Sequence, residues 1–495
     1  MPTPLPLSMP MPLAEPLTFD HSYARDLPGT YLRDRPAVAP APRLLVLNEG
    51  LARDLGLDLA ELAANAAGWF SGAVVPPGAD PIVMAYAGHQ FGGFSPQLGD
   101  GRAHLLGELV TANRRFDLQL KGSGRTPFSR GGDGKAAVGP MLREYLISEA
   151  MAALGIPTTR CLAVVATGEA IWRDSNTTAD GKLPGAVLAR VAASHIRIGT
   201  FQFFAARDDL ATLRALTAYT IRRHYPHLAT DDALGLFDAV TARQVSLIAQ
   251  WMGLGFIHGV MNTDNMALSG ETLDYGPCGF LDAYAPGTVF SSIDRQGRYA
   301  YANQPLILAW NLARLAEALL PLIGPDPTRA TQIANQRLDA IAPAYRLAWE
   351  AVMRQKLGLT GVLPQDGALA DAFLVAITGA DWTLSFRRLA DAAEGREAGL
   401  LSLLANPSLM IDWLVEWRAR LGPDAARQIR AANPAVIPRN HLVEPALEAA
   451  TSGDLSAFTA LLAAVQTPFT AEPGREAFAL PAPTSFGPYV TFCGT

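Results

Sequence analysis

Cysteine, charge and basic runs are all scarce in this sequence. Three cysteines among 495 residues, Cys161, Cys278 and Cys493, are too few and too scattered for a disulfide scaffold or a Cys-x-x-Cys zinc site. A reducing compartment fits them. Charged residues make up only 17% against 49% hydrophobic, which excludes a disordered chain and leaves a globular protein long enough for two or more compact units. No dense Lys/Arg run occurs, and the net charge is −6, so there is no global attraction to nucleic acid phosphates or anionic lipid. Long uninterrupted apolar runs are missing too. The most apolar stretch, PLILAWNLARLAEALLPLIG, is broken by Asn311, Arg314 and Glu317 at every third residue, which predicts a polar stripe on an amphipathic helix instead of a membrane span. Prolines at 2, 4, 6, 10, 12 and 16, with no basic n-region, exclude an ordinary signal or transit helix at the start. The expectation is a cytoplasmic protein with neither nucleic acid nor membrane as partner.

The pattern along the chain changes once, near residue 207. Residues 1–80 hold a proline-rich lead, a turn-rich stretch and one helical candidate, LARDLGLDLAELAANAAG, and read as an extension packed on the body. Residues 81–206 are punctuated by glycine and carry the strand-like runs AHLLGELV, RFDLQLK, LAVVATGEAIW and GAVLARVAA, with the helix GPMLREYLISEAMAALG after the second. Residues 207–470 are long amphipathic segments, among them DALGLFDAVTARQVSLIAQWMGLGF, the 305–323 helix, RLDAIAPAYRLAWEAVMRQKLG and SLMIDWLVEWRARLG; residues 471–495 form a tail. The predicted fold is α+β and two-lobed, a small sheet-rich N-lobe followed by a helical C-lobe, as in protein kinases.

Kinase chemistry supplies a set of parts to seek: a Gly-rich turn over the nucleotide phosphates, a strand lysine, a helix glutamate that positions it, and an Asn and Asp that hold metal ions. QLGDGRAHLLGEL offers Gly99 and Gly101 in a turn before a strand, where backbone N–H groups can approach phosphate, and Arg102 adds charge. It is not a dinucleotide fingerprint, since His104 stands at the third glycine position. Lys121 ends an alternating strand. On the next helix both Glu144 and Glu149 are candidates for its partner, and spacing leaves the choice open. SRGGDGKAAVG is not a P-loop, because Ser129 and Ala136 stand where Gly and Ser or Thr are needed; its Asp133 and Gly134 remain in a glycine-rich loop able to fold over a ligand.

The densest polar cluster lies in GFIHGVMNTDNMALSGETLDYGP. Polar groups set among apolar residues and glycines suggest a site. The kinase catalytic loop places its base two residues after His and its metal-binding Asn seven after. Asn265 follows His258 by seven, but Val260 occupies the base position, and Asp264 is the nearest carboxylate able to replace it. Asp274, in Asp-Tyr-Gly, stands where the Asp-Phe-Gly metal ligand is expected. His258 has no ligand-spaced partner and reads as structural.

Taken in order, YAGHQFGGFSPQLGDGRAHLLGE, LQLKGSGRTPFSRGGDGKA, LREYLISEAM, LARVAASHIRIGTFQ, HGVMNTDNM and LDYGP resemble the selenoprotein O family of kinase-like protein adenylyltransferases. The resemblance covers about residues 85 to 280, and the late NPAVIPRNHLVEPAL also looks like the family. It implies a kinase-like fold that holds ATP reversed and transfers AMP, not phosphate, to Ser, Thr or Tyr hydroxyls of proteins, itself included, with release of pyrophosphate. It places nucleotide contacts on Gly99, Gly101, Arg102, Lys121, Asp133, Gly134, Arg190 and Arg197, with Asp274 beside them. It favours Glu144 over Glu149, assigns Mg2+ or Mn2+ to Asn265 and Asp274, and makes Asp264 the proton acceptor. Arg190 and Arg197 are seven apart, so a turn between them is needed if both reach one phosphate group. Two rival activities keep the same parts: a protein or small-molecule kinase, and a transferase using UTP. A non-catalytic nucleotide scaffold is disfavoured by Asp264 beside Asn265. Many members carry selenocysteine or a second cysteine near the end, whereas this chain ends YVTFCGT with Cys493 alone. An oxidised bridge between Cys278 and Cys493 would pin the tail beside the site; in a reducing cytoplasm both stay thiols.

Overall fold

The computed structural model describes residues 17–111, 114–173, 181–470 and 473–491. It opens with α1 (Ser22–Asp26), β1 (Tyr31–Arg33), β2 (Arg43–Leu47), α2 (Glu49–Asp54) and α3 (Leu59–Ser71). The one helix expected over residues 51–68 is therefore two. Gly56 takes a left-handed φ of +72°, which ends the first, and the Asp58 carboxylate starts the second by accepting from the backbone N–H groups of Ala60 and Glu61.

Next come β3 (Ile82–Met84), the hairpin strands β4 (Gly88–Gln90) and β5 (Gly93–Ser95), β6 (Ala103–Val110), β7 (Arg115–Lys121), β8 (Ala136–Ala137), α4 (Val138–Ala153), β9 (Arg160–Trp172) and β10 (Lys182–Ala192). The strand, strand, helix, strand, strand order read from the glycine-punctuated region is the one observed. Among the described residues the main sheet runs β1-β3-β6-β7-β10-β9-β2, all antiparallel, with β8 added to β10. The stretch before residue 80 thus supplies both ends of this order, not only a covering layer.

Alternation in RFDLQLK sets the two faces. Leu118 and Leu120 join Leu106, Val187 and Ala189 against Leu62, Ala66, Trp69 and Phe70 of α3. On the opposite face Lys121 pairs across to Leu188, and Gln119 to Arg190, so the lysine and the arginine lie on one side. That side receives α4, whose Leu142, Tyr145 and Leu146 pack with Val164, Ala186 and Leu188.

The helical lobe holds α5 (Ile198–Ala205), α6 (Leu210–His224), α7 (Ala233–Leu254), α8 (Gln304–Ile323), α9 (Pro327–Asp339) and α10 (Ile341–Leu357); five helices, α11 to α15, fill residues 366–432; α16 (Asn440–Thr451) and α17 (Ser456–Val465) follow. The segment 337–358, expected as one helix, restarts at Ile341. Pro343 has no N–H to give to Asp339, and its ring would clash with that carbonyl. Helix α8, with the turn before it at residues 301–323, is apolar and long enough to cross a membrane, but Leu308, Leu312, Leu315 and Leu319 are buried in the protein core. Its expected polar stripe is only partly one. Asn311 is fully buried and donates from Nδ2 to the Met261 carbonyl at 2.8 Å, because the helix lies under the loop that carries the site, whereas Arg314 and Glu317 reach the surface. Helices α16 and α17 return to the first lobe and clasp α4 through Leu447, Phe458, Leu461 and Val465.

Candidate active site

Strand register and one helix turn bring four charged groups together. Lys121 Nζ donates to Glu144 Oε2 at 2.5 Å and also to Asp274 Oδ1. Arg190 Nη2 donates to Glu144 Oε1 at 2.5 Å and to Asp274 Oδ1 at 2.7 Å. Lys121, Glu144 and Arg190 are buried, and Asp274 is partly open. Glu149 is not part of this web. It faces Arg160, with two bonds of 2.6 Å, so the geometry separates the two helix glutamates. Burial would raise the Asp274 carboxyl, but the cations of Lys121, Arg190 and Arg102 hold it well below the usual carboxylate range. Asp274 sits at a φ of +69°, a left-handed conformation uncommon outside glycine, which fits a position fixed by its partners.

The loop from His258 to Asp274 folds back on itself. Met266 pairs with Thr272 in an antiparallel bridge, so Asn265 and Asp274 flank the two open ends of one hairpin. His258 is structural: its Nδ1 accepts from the Val260 N–H at 3.3 Å and its Nε2 donates to the Leu273 carbonyl at 3.1 Å, tying the two arms together. Asn265 Nδ2 donates to the Val260 carbonyl at 3.0 Å, which leaves its Oδ1 as the free end.

Asp264 is buried beneath the β4–β5 hairpin. Gln90 Nε2 donates to its Oδ2 at 3.2 Å, the His89 N–H donates to Thr263 Oγ1 at 2.8 Å, and the Phe91 N–H donates to Asn262 Oδ1 at 3.2 Å. Oδ1 of Asp264 is buried with no hydrogen-bond partner among the described residues. Burial pushes the carboxyl up to about 6, against the opposing pull of Arg197 and Gln90. A buried carboxylate with one oxygen left without a donor is chemically able to take up a proton. Gly88 makes room for it, since a Cβ there would stand 2.4 Å from that oxygen.

Arg197 lies beyond a turn that follows β10, as two arginines of one run must if both are to face the cleft. Its Nη1 donates to the Asp264 carbonyl at 3.1 Å, its Nη2 is 3.9 Å from Asp100, and its guanidinium stacks 4.2 Å from the Tyr86 ring centroid. The glycine turn differs from expectation in detail. The Gly99 N–H donates to the Tyr86 carbonyl and the Gly101 N–H to the Gly99 carbonyl, so these amides point inward instead of toward a phosphate. The glycines are required because Phe128 packs on the turn, where a Cβ at Gly99 would meet its ring at 2.2 Å. Asp133 lies outside the ion web, bonded to Arg173 at 2.8 Å, and Gly134, at a φ of +67°, lies against the Gly124 carbonyl. Cys278 is fully buried, and burial pushes its thiol up to about 11 despite the Arg143 cation; Cys493 lies outside the described residues. A cavity of about 1060 Å³, lined by Arg53, Arg114 and Arg160 among others, opens at the far end of β6 and β7, about 20 Å from Lys121 by strand rise.

Reading the sequence missed Gln90 and the docking role of its hairpin. The signal available in the sequence was the Gly92-Gly93 pair within HQFGGFS, a turn dipeptide; in the structure Phe91 and Gly92 both take a positive φ.

The family model described as Protein adenylyltransferase SelO matches residues 16–466. The chain belongs to the SelO family of protein adenylyltransferases. Curated SelO-type relatives named Protein nucleotidyltransferase YdiU include one from Cereibacter sphaeroides, 59% identical over 483 residues, covering 96% of this chain and 99% of the relative. Others come from Chromobacterium violaceum, 54% identical with 95% and 100% covered, and Rhizobium johnstonii, 53% identical with 96% and 97% covered. With the family's two-lobed kinase-like architecture goes its enzyme class: a nucleotidyltransferase acting on protein, with ATP as substrate.

The residues present fit a divalent cation. Asn265 Oδ1 and Asp274 Oδ2 are hard oxygen donors with no hydrogen bond from any described residue, on two arms held together by His258. Among the described residues no group of three or more His, Cys, Asp or Glu is placed to hold a metal ion, so these two oxygens would be the protein's share of its ligands.

Proposed function

We propose that this chain transfers the adenylyl group of ATP to Ser, Thr or Tyr hydroxyls of proteins, its own included. The observation that carries the reading is the pairing of a cation-rich buried web with a separate buried carboxylate, Asp264, at a site where the usual kinase base is Val260. Lys121, Arg190 and Arg102 outnumber Glu144 and Asp274, so the web has positive charge to offer a polyphosphate. Phosphates that took over Lys121 and Arg190 would leave the Asp274 carboxylate free to join Asn265 in holding a divalent cation. Mg2+ or Mn2+ held by Asn265 and Asp274 would neutralise charge on the departing pyrophosphate.

Glu144 keeps Lys121 and Arg190 on the sheet face while the nucleotide exchanges. Arg197, Asp133, Gly134 and the Gly99–Arg102 turn border the nucleotide in this reading. Asp264 Oδ1 accepts the acceptor's hydroxyl proton as the oxygen bonds to the α-phosphorus and the bond to the β-phosphate oxygen breaks. Both described cysteines are buried free thiols, which suits the cytoplasm.

The test is incubation with α-labelled and, separately, γ-labelled ATP plus Mg2+ or Mn2+. The α-label is expected in protein, the chain's own included. Entry of the γ-label alone would make it a kinase and end the proposal.

A further inference from the structure

Beside the β4–β5 hairpin, two arginines flank one indole. The guanidinium carbons of Arg298 and Arg314 lie 4.8 and 4.9 Å from the Trp310 ring centroid, and His89 of β4 meets the same ring edge-on at 5.2 Å. Arg314 is placed there by one helix turn from Trp310 on α8. Arg298 comes from a loop whose Asp294 carboxylate accepts from the backbone N–H groups of Arg298 and Tyr299 at 2.9 and 2.7 Å.

One of the two arginines has no ion pair among the described residues. Arg314 pairs with Glu317 at 2.6 Å, but no carboxylate of the described residues lies within ion-pair range of Arg298, and Nε of both arginines is buried without a partner. Arg298, the guanidinium without a carboxylate, is the one with charge left to attract an anion. In a chain of net charge −6 such a patch is local and specific.

The hairpin joins this patch to the proposed base. Gly92 at its tip lies against Arg298, where a Cβ would stand 3.6 Å from the guanidinium carbon, while Gln90, two residues back, holds Asp264. Gly92 and Gln90 are about 7 Å apart along the chain, and the contacts at either end extend this to roughly 10–14 Å, the span of about three or four extended residues.

We propose that Arg298, Trp310 and Arg314 form an acceptor subsite for an Asp or Glu side chain, three or four residues along an extended polypeptide from the hydroxyl presented to Asp264. The guanidinium fork binds the carboxylate, and the indole holds both forks in place. The enzyme therefore selects acidic segments of its protein substrates. This rests on the reading of Asp264 as the acceptor's base.

The test uses two synthetic peptides of Gly and Ala around one tyrosine, with Glu or with Lys at the third and fourth positions on both sides, incubated with α-labelled ATP and Mg2+. Wild-type enzyme is expected to modify the Glu peptide with kcat/KM about tenfold above the Lys peptide, mostly through KM. Arg298→Glu combined with Arg314→Glu is expected to reverse the order, a gain that a misfolded protein cannot produce. Should that variant be inactive on both peptides, Arg298→Gln must bring them within about twofold of each other. Equal use of the peptides by wild type, an unchanged Glu preference in the variants, or self-labelling with neither peptide modified would each overturn the subsite. Entry of γ-label with the same Arg298-dependent preference would instead sink adenylyl transfer and leave the subsite standing.

Discussion

At the scale of single residues, the proposed roles separate binding from proton transfer. Asp274 and Asp264 lie on the same folded loop, yet their surroundings push them in opposite directions: cations keep the first ionised, and burial raises the second to about 6. Asp264→Asn should retain ATP affinity by calorimetry and lower α-label transfer by about 10²- to 10⁴-fold, the usual contribution of a positioned base. Asp274→Ala should lose metal-dependent ATP binding and transfer together, since it removes both the proposed metal ligand and the partner of Lys121 and Arg190. Equal transfer by wild type and both variants would refute the assignment. Gly88→Ala is a finer probe. Its methyl would stand 2.4 Å from Asp264 Oδ1 and 2.7 Å from a Leu98 methyl, so the carboxylate has to shift. A displacement near 1 Å at a reacting group predicts a fall in kcat of about 10²-fold, with the KM for ATP unchanged.

At the scale of elements, α4 is fixed from both sides, by the sheet through Leu188 and by α16 and α17 through Phe458 and Leu461. Phe458 is fully buried, so Phe458→Ala should cost about 3–5 kcal/mol in urea unfolding. Helix α10 carries a second, electrostatic prediction. Lys356 is buried, donates to Asn433 Oδ1 at 2.6 Å, and is lowered by burial to about 7. In the unfolded chain its value returns to about 10.4. Between those limits the unfolded chain binds the extra proton, so this residue makes stability rise with pH from about 7 to about 10, by at most roughly 1.4 kcal/mol per unit. Lys356→Met should flatten that slope when urea midpoints at pH 7 and 9 are compared. The same elements show what was legible in the sequence. Alternation in RFDLQLK is a local pattern and placed the lysine strand; the Asn265 and Asp274 spacing is another, and the structure brings both residues onto one folded loop. Helix breaks at Gly56 and Pro343 were also local signals, outweighed by an amphipathic period that runs through both. Contacts that no local pattern encodes were missed: β1 and β2 joining opposite ends of the sheet, α17 reaching α4, and Gln90 reaching Asp264 across 174 residues.

At the scale of the whole molecule, the candidate nucleotide site is made by both lobes, with Lys121, Glu144 and Arg190 from the first and Asp264, Asn265 and Asp274 from the second. A ligand that bridges them binds only the folded chain, and it stabilises by mass action, about 2.7 kcal/mol at 100 times Kd. For 495 residues unfolding as one unit, the entropy at the midpoint is about 1 kcal/mol per kelvin, so that gain corresponds to about 3 °C in Tm. ATP with Mg2+ at that excess should therefore raise Tm by about 3 °C in scanning calorimetry. Chelation of the metal with EDTA, at the same ATP concentration, should remove most of the rise, because Asp274 then faces the phosphates with no cation between them and repels them. Asp264→Asn should keep the full rise, since its carboxylate serves the acceptor side, whereas Asp274→Ala should show little rise with or without metal. A rise that survives both EDTA and Asp274→Ala would mean that ATP binds away from this loop, and the cation-rich web would then be a structural clasp between the lobes.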